Sequence, residues 1–177
     1  MFDFDREIDR SGTMSLKWDK YKGQDVLPMW VADTDFASPP AVIEALTARV
    51  AHGIFGYSRP SPRLIELIIT RMQQRYGWTI SPEWLVFLPG VVPGLNLACK
   101  AWSQHGRGII TPKPVYYPFL QAPGFNDRPL LTVPVVEEEG RWVLDLEELE
   151  RQAPSADLLL LCNPHNPVGR VFARAEL

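Results

Sequence analysis

Leu158-Leu159-Leu160-Leu161-Cys162, followed at once by Asn163-Pro164-His165-Asn166-Pro167-Val168-Gly169, is the stretch on which the reading of this chain turns. Leucines in an unbroken run, without polar alternation, describe a strand buried on both faces, and such strands belong to parallel sheets covered by helices. The pattern predicts a strand over Asp157 to Cys162, placed in the middle of its sheet. The two Asn-Pro pairs then predict consecutive turns, because the residue before a proline is pushed into extended or turn backbone. An asparagine held in that way has an aimed side-chain amide.

Outward from this point the same texture recurs. Short apolar strands are expected near Trp84 to Leu88, Gly108 to Thr111 and Leu130 to Val136. A helix is expected from about Val92 to Gln104, and a shorter acidic one from about Leu146 to Gln152 behind an Asp145 cap. Strands alternating with helices imply an α/β fold with a mostly parallel sheet. Upstream, two helices open on Ser-Pro signals. Ser38 with Pro39 and Pro40 precedes Val42, Ile43, Leu46 and Val50 and is closed by Gly53; Ser61 with Pro62 precedes Leu64, Ile65, Ile68, Ile69 and Met72 and is closed by Gly77. Residues Met1 to Gln24 show no sustained period and read as an arm that must lie against something.

Composition narrows the function. Among 177 residues, 18 Lys and Arg face 21 Asp and Glu, a balance of -3, so no basic field points to nucleic acid or an anionic membrane. No apolar run approaches the roughly 18 residues of a spanning helix, and the acidic start lacks a secretory signal. Cys99 and Cys162, far apart and in apolar surroundings, suit reduced thiols in the cytoplasm. No metal site is expected: His165 has no second histidine at ligand spacing, and His52 and His105 sit before glycines at helix ends, where they favour the helix dipole. Glu137-Glu138-Glu139-Gly140 is expected as a solvated turn between two strands.

In open parallel sheets ligands bind outside the carboxyl ends of the strands. Three loops there carry candidate groups. In Pro89-Gly90-Val91-Val92, Gly90 permits close backbone approach and the amides of Val91 and Val92 could face an anion from a helix start. In Pro112-Lys113-Pro114-Val115-Tyr116-Tyr117-Pro118-Phe119, an aromatic ring could lie on a planar ligand. The third is the Asn163 to Gly169 loop. Each taken alone also fits ordinary structure: a turn, an aromatic core under a loop, a turn-rich connection.

Taken together, and with further phrases, they resemble a known family. Phe2-Asp3-Phe4-Asp5, Arg10-Ser11-Gly12-Thr13, Asp33-Thr34-Asp35-Phe36, His52-Gly53-Ile54-Phe55-Gly56-Tyr57-Ser58, Pro89 to Val92, Thr111-Pro112 with Val115 to Phe119, and Asn163 to Gly169 resemble, in order and spacing, the pyridoxal-phosphate enzymes of the aspartate aminotransferase fold (fold type I). The resemblance is strongest to the branch of cystathionine beta-lyases, or cysteine-S-conjugate beta-lyases. It implies an amino-terminal arm and substrate-side loop over 1–37 and the first part of the large cofactor domain over 38–177. It further implies that Gly90, Val91 and Val92 hold the phosphate of pyridoxal 5'-phosphate, that Tyr116 stacks on its ring, and that Asn166 bonds its phenolic oxygen. Tyr57 would reach the phosphate bound by the other subunit of a homodimer. Val168 stands where the family usually has Thr, which removes one hydroxyl and leaves Asn166 in place.

The implied reaction is β-elimination from a small sulfur amino acid, giving pyruvate, ammonia and a thiol. The lysine that carries the cofactor in the family lies beyond the Asn-Pro loop, and none of Lys17, Lys20, Lys22, Lys100 and Lys113 stands in its serine-flanked setting. No catalytic residue is therefore expected within these 177 residues, which read as the amino-terminal part of a longer enzyme. An amino acid aminotransferase on the same fold, or an inactive fragment acting as an interaction module, are the alternatives.

Overall fold

The structure is a computed structural model describing residues 3–177, so Phe2 of the opening phrase lies outside the described residues. The chain divides into two units, Met1–Leu64 and Ile65–Leu177.

In the first unit the arm does find something to lie against. The Arg10 guanidinium reaches Asp33 at 2.7 Å and Asp35 at 2.6 Å, and the Lys17 ammonium reaches Asp35 at 2.6 Å. Trp18 Nε1 adds a bond to Asp35 at 2.8 Å. Donated bonds from Lys17, then Trp18 and Arg10, hold the Asp35 carboxyl well below the usual carboxylate range. A short helix, α1 (Leu16–Asp19), sits inside this network behind Ser15, whose hydroxyl accepts from the Trp18 amide at 3.4 Å.

Helix α2 (Pro40–His52) ends at Gly53, which takes the left-handed conformation at φ 75°. Its start differs from the sequence expectation: the cap is Pro39, with no side-chain bond, and the Ser38 hydroxyl does not cap it. Proline backbone already has the helical φ and Pro40 has no N–H to satisfy, so the helix opens without a hydroxyl. Val42, Ile43, Leu46 and Val50, which carry its apolar period, are all exposed. Helix α3 (Pro62–Tyr76) does open on its serine, the Leu64 amide donating to Ser61 Oγ at 3.2 Å, and ends as the Gly77 amide donates to the Gln73 carbonyl at 3.0 Å.

In the second unit the strand expected over Trp84 to Leu88 is not formed. Pro82–Trp84 makes a 3-10 turn, and the extended residues after it pair with no strand among the described residues. Extended backbone becomes a strand only when a neighbour supplies the ladder, and four apolar side chains cannot specify that neighbour. There follow α4 (Val91–Trp102), β1 (Gly108–Lys113), α5 (Tyr117–Phe125), β2 (Leu130–Glu138), β3 (Arg141–Leu144), α6 (Leu146–Gln152) and β4 (Ala156–Leu159). The sheet order is β3-β2-β1-β4, with β1 parallel to both neighbours and β2 and β3 forming an antiparallel hairpin. The fold is α/β with a mostly parallel sheet.

The leucine-rich strand β4 is shorter than expected and stands at the edge of this sheet. The Leu160 amide still donates to the Ile110 carbonyl at 2.9 Å, but the Leu160 carbonyl would next accept from residue 112, which is Pro112. With no N–H there the ladder stops, and Thr111 Oγ1 takes that carbonyl at 3.1 Å instead.

Cys99, Ile109, Val115, Phe119, Ala122 and Leu160 form the main core between α4, α5 and the sheet. Burial pushes the Cys99 thiol up, away from reactivity. A Cβ on Gly108 would lie 2.5 Å from Leu131 Cδ1 and 3.1 Å from the Ser155 carbonyl, so a side chain there would displace Leu131 and press on the Ser155 backbone. Two arginines staple the amino ends of the strands. Arg107 bonds Asp157 at 2.9 Å and the Pro154 and Ala156 carbonyls at 2.9 and 3.1 Å, and Arg128 Nε donates to the Ser103 carbonyl at 2.9 Å. The opposite edge of the sheet, at the carboxyl ends, is left to loops. No helix among the described residues is long and apolar enough to cross a membrane.

Candidate functional site

Because β1 and β4 are parallel neighbours, the loops that follow them leave the same edge side by side. The stretch after β1 is tighter than a loop. Lys113 ends the strand, Pro114 to Tyr116 make the turn, and Tyr117 already begins α5, a helix the sequence reading missed because Pro118 and Pro123 lie within it. This turn sorts its side chains: Val115 and Phe119 point into the core, whereas Tyr116 is 39% exposed and meets Tyr117 edge-on at 5.0 Å. The core explanation thus accounts for Val115 and Phe119 and leaves Tyr116 at the surface.

The loop after β4 uses its two asparagines differently, although both are exposed. Asn163 is spent on the chain's own backbone: its Oδ1 accepts from the Phe172 amide at 3.1 Å and its Nδ2 donates to the Phe172 carbonyl at 3.5 Å, clasping the returning chain. The tight turn from His165 to Gly169 closes as the Gly169 amide donates to the His165 carbonyl at 2.8 Å. Asn166 at its tip is exposed, and its side-chain amide makes no hydrogen bond among the described residues. The prolines after Lys113, Asn163 and Asn166 all follow cis peptide bonds.

The third group comes from a helix start. Helix α4 contributes Leu95 and Cys99 to the same core as Ile109, and just past its carboxyl end the Gln104 amide donates to Asp157, at the amino end of β4, at 3.0 Å, so the helix runs antiparallel to the strands. Its amino end therefore faces the edge where β1 and β4 finish. Gly90 caps it at φ 152°, ψ 170°, a conformation closed to side-chain-bearing residues, with no side-chain cap bond. A Cβ there would meet Pro93 Cδ at 3.7 Å, an ordinary contact, so the backbone rather than space demands glycine. The amides of Val91 and Val92 are left without helical acceptors, and Pro93 contributes none. The helix dipole adds to the attraction of that end for an anion.

Gly90, Val91, Val92, Tyr116 and Asn166 are thus carried on elements that end at one edge of the sheet. Tyr57 belongs to the other unit, in the irregular stretch between α2 and α3, and is fully exposed. His165, in the loop after β4, is almost completely buried.

The family description "Aminotransferase class I and II" matches residues 24–177, and the chain belongs to that family. It is 43% identical over 180 residues to a protein of Bacillus subtilis named cystathionine beta-lyase PatB, covering 98% of this chain and 46% of that protein. Among solved structures, one titled "Crystal Structure of OvoB" superposes with a TM-score of 0.91 at 48% identity, covering 99% of this chain and 46% of that one. Cystalysin of Treponema denticola, whose structure contains a pyridoxal 5'-phosphate cofactor, superposes with a TM-score of 0.90 at 34% identity, covering 99% of this chain and 47% of that one. The chain spans about half the length of the curated relatives it matches.

Proposed function

We propose that this chain forms the cofactor-cradling part of a pyridoxal-phosphate-dependent carbon-sulfur β-lyase. In a protein of the relatives' length it would cleave cystathionine or other cysteine S-conjugates to pyruvate, ammonia and a thiol. One observation carries the reading. Two free amides at a helix start, a half-exposed phenol ring and an unpartnered carboxamide lie on elements ending at one sheet edge, in a chain 43% identical to a cystathionine beta-lyase.

The donor set fits the cofactor. A phosphate dianion takes the Val91 and Val92 amides, with Gly90 giving it room to approach. The face of Tyr116 suits a planar pyridine ring, and the Asn166 amide donates to a phenolic oxygen at that ring's edge. Bound there, pyridoxal phosphate supplies an electron sink for the pair left when the substrate's α proton departs. None of this chain's lysines is assigned the proton transfer, and Lys17 is already committed to Asp35 at 2.6 Å. In this reading residues 1–37 are the arm and substrate-side loop, and 38–177 begin the cofactor domain. A homodimer brings Tyr57 of one copy to the phosphate of the other. The setting is the cytoplasm, with neither nucleic acid nor membrane as partner.

The test is an assay of the complete protein with pyridoxal phosphate and cystathionine, following pyruvate, thiol and, with an added keto acid, amino transfer. Pyruvate and thiol in equal amounts are expected. Efficient amino transfer without pyruvate would establish the aminotransferase instead.

A further inference from the structure

His165 is 1% exposed, and both of its ring nitrogens face backbone carbonyls. Nδ1 lies 3.0 Å from the Cys162 oxygen, in its own loop, and Nε2 lies 2.7 Å from the Pro114 oxygen, in the turn after β1, 51 residues away in sequence. A ring with its proton on Nε2 donates to the Pro114 oxygen and so ties its own loop to the turn after β1, and a ring protonated on both nitrogens donates to both oxygens. Its backbone is fixed as well. The His165 amide donates to the Arg170 carbonyl at 2.6 Å, and the ring meets Phe172 edge-on at 5.6 Å. Past Thr111, where Pro112 ends the β1-β4 ladder, this imidazole is the hydrogen-bond link between the two loops among the described residues.

Its position in the sequence gives the link its meaning. His165 is one residue from Asn166, and Pro114 is two residues from Tyr116. The geometry points to His165 as a positioning residue of the candidate cofactor site, resting on the pyridoxal-phosphate reading above. It touches no ligand itself. It sets the distance between the Tyr116 ring and the Asn166 amide, so that both meet one planar ligand without being drawn together at binding. Preorganised groups of this kind bind more tightly because the cost of ordering them has already been met in the free protein. A histidine that merely filled core volume would not need both nitrogens on carbonyls of different loops.

Two variants separate the roles. His165→Asn keeps an amide near the Nδ1 position but cannot reach Pro114, whereas His165→Gln carries its amide out to the Nε2 position and can. In the full chain, hydrogen-deuterium exchange without cofactor should quicken over residues 112–120 and 163–170 in His165→Asn, and pyridoxal phosphate should bind about tenfold more weakly, the scale of one lost buried hydrogen bond. His165→Gln should recover part of both. Equal cofactor affinity in all three proteins, or equal loss in both variants without rescue, overturns the positioning role. A wild-type protein that binds no pyridoxal phosphate overturns the functional reading and the proposal with it. The exchange data tell that failure from failure of the bridge, which would leave both loops unchanged in His165→Asn. A measurement without substitution guards against misfolded variants: a His165 ring N–H in the nitrogen-15 spectrum should exchange slowly, and a rapidly exchanging ring would refute the bridge.

Discussion

Tyr116 and Gly90 make the same functional demand by different physics. Tyr116 offers a ring face, so Tyr116→Phe should leave cofactor affinity nearly unchanged, while Tyr116→Ala should weaken it by up to about tenfold, the upper range of a stacking contact beyond its buried area. Equilibrium titration of pyridoxal phosphate absorbance checks both. Gly90 offers a backbone shape. At φ 152° an alanine is strained by roughly 1 to 3 kcal/mol, and the strain is relieved only by turning the Val91 amide away. Gly90→Ala should therefore lower both the melting temperature and the affinity for inorganic phosphate, whereas Tyr116→Ala should leave phosphate affinity alone. At this scale the sequence was partly legible. The phosphate turn and the Asn-Pro loop could be picked out as candidates, but Asn163 and Asn166 look alike in sequence, each followed by proline. Only the partner at Phe172 tells which one is spent on structure. The reach of His165 to Pro114 was not legible, because a contact between side chain and backbone 51 residues apart leaves no mark in the pattern.

Elements were legible where their signals are local. Helix α6 forms over Leu146–Gln152 as expected because its cap and its charges lie within or beside its own seven residues. The Asp145 side chain accepts from the Glu148 amide at 2.9 Å, and Asp145→Ala should cost about 1 kcal/mol, read as a lower unfolding midpoint in urea. Glu148 in turn is held at about 2 by bonds from Arg151 and Gln152. A carboxyl with a depressed folded value stabilises the fold above its ordinary value near 4.5 and loses that contribution as pH falls towards 2. The wild type should therefore lose more stability between pH 5 and about 2 than Glu148→Gln does, a difference that thermal melts across that range would register. Where a partner decides, the sequence was silent. Leu85 to Leu88 has the residues of a strand and no ladder, and the strand over Asp157 to Cys162 is cut short by a proline on its neighbour. Helix α5 was hidden by prolines that its first turn and its packing tolerate.

For the second unit as a whole, stability rests on the seam where α4, α5 and the sheet meet. Ile109, wholly buried at its centre, should cost about 2 to 5 kcal/mol when replaced by alanine and about 0.5 to 1.5 when replaced by valine, measured by chemical denaturation. Loss of a well-defined transition in Ile109→Ala alone would fit the same seam, while a change under 0.5 kcal/mol would show that the unit is held elsewhere. The arginine staples hold the amino ends of the strands, so the carboxyl ends can carry variable loops on a fixed frame. The β2-β3 hairpin is a separate case. Its tip, Glu139 at φ 50° and Gly140 at φ 76°, is exposed, and its two strands are paired over four register positions from Glu138 and Arg141 inwards. Lengthening such a connection costs only about 0.6 kcal/mol for each doubling of its length. An epitope tag or fluorescent reporter could therefore be spliced between Glu139 and Gly140, making this hairpin the natural handle by which the protein can be immobilised or followed while its loops at the sheet edge stay as they are.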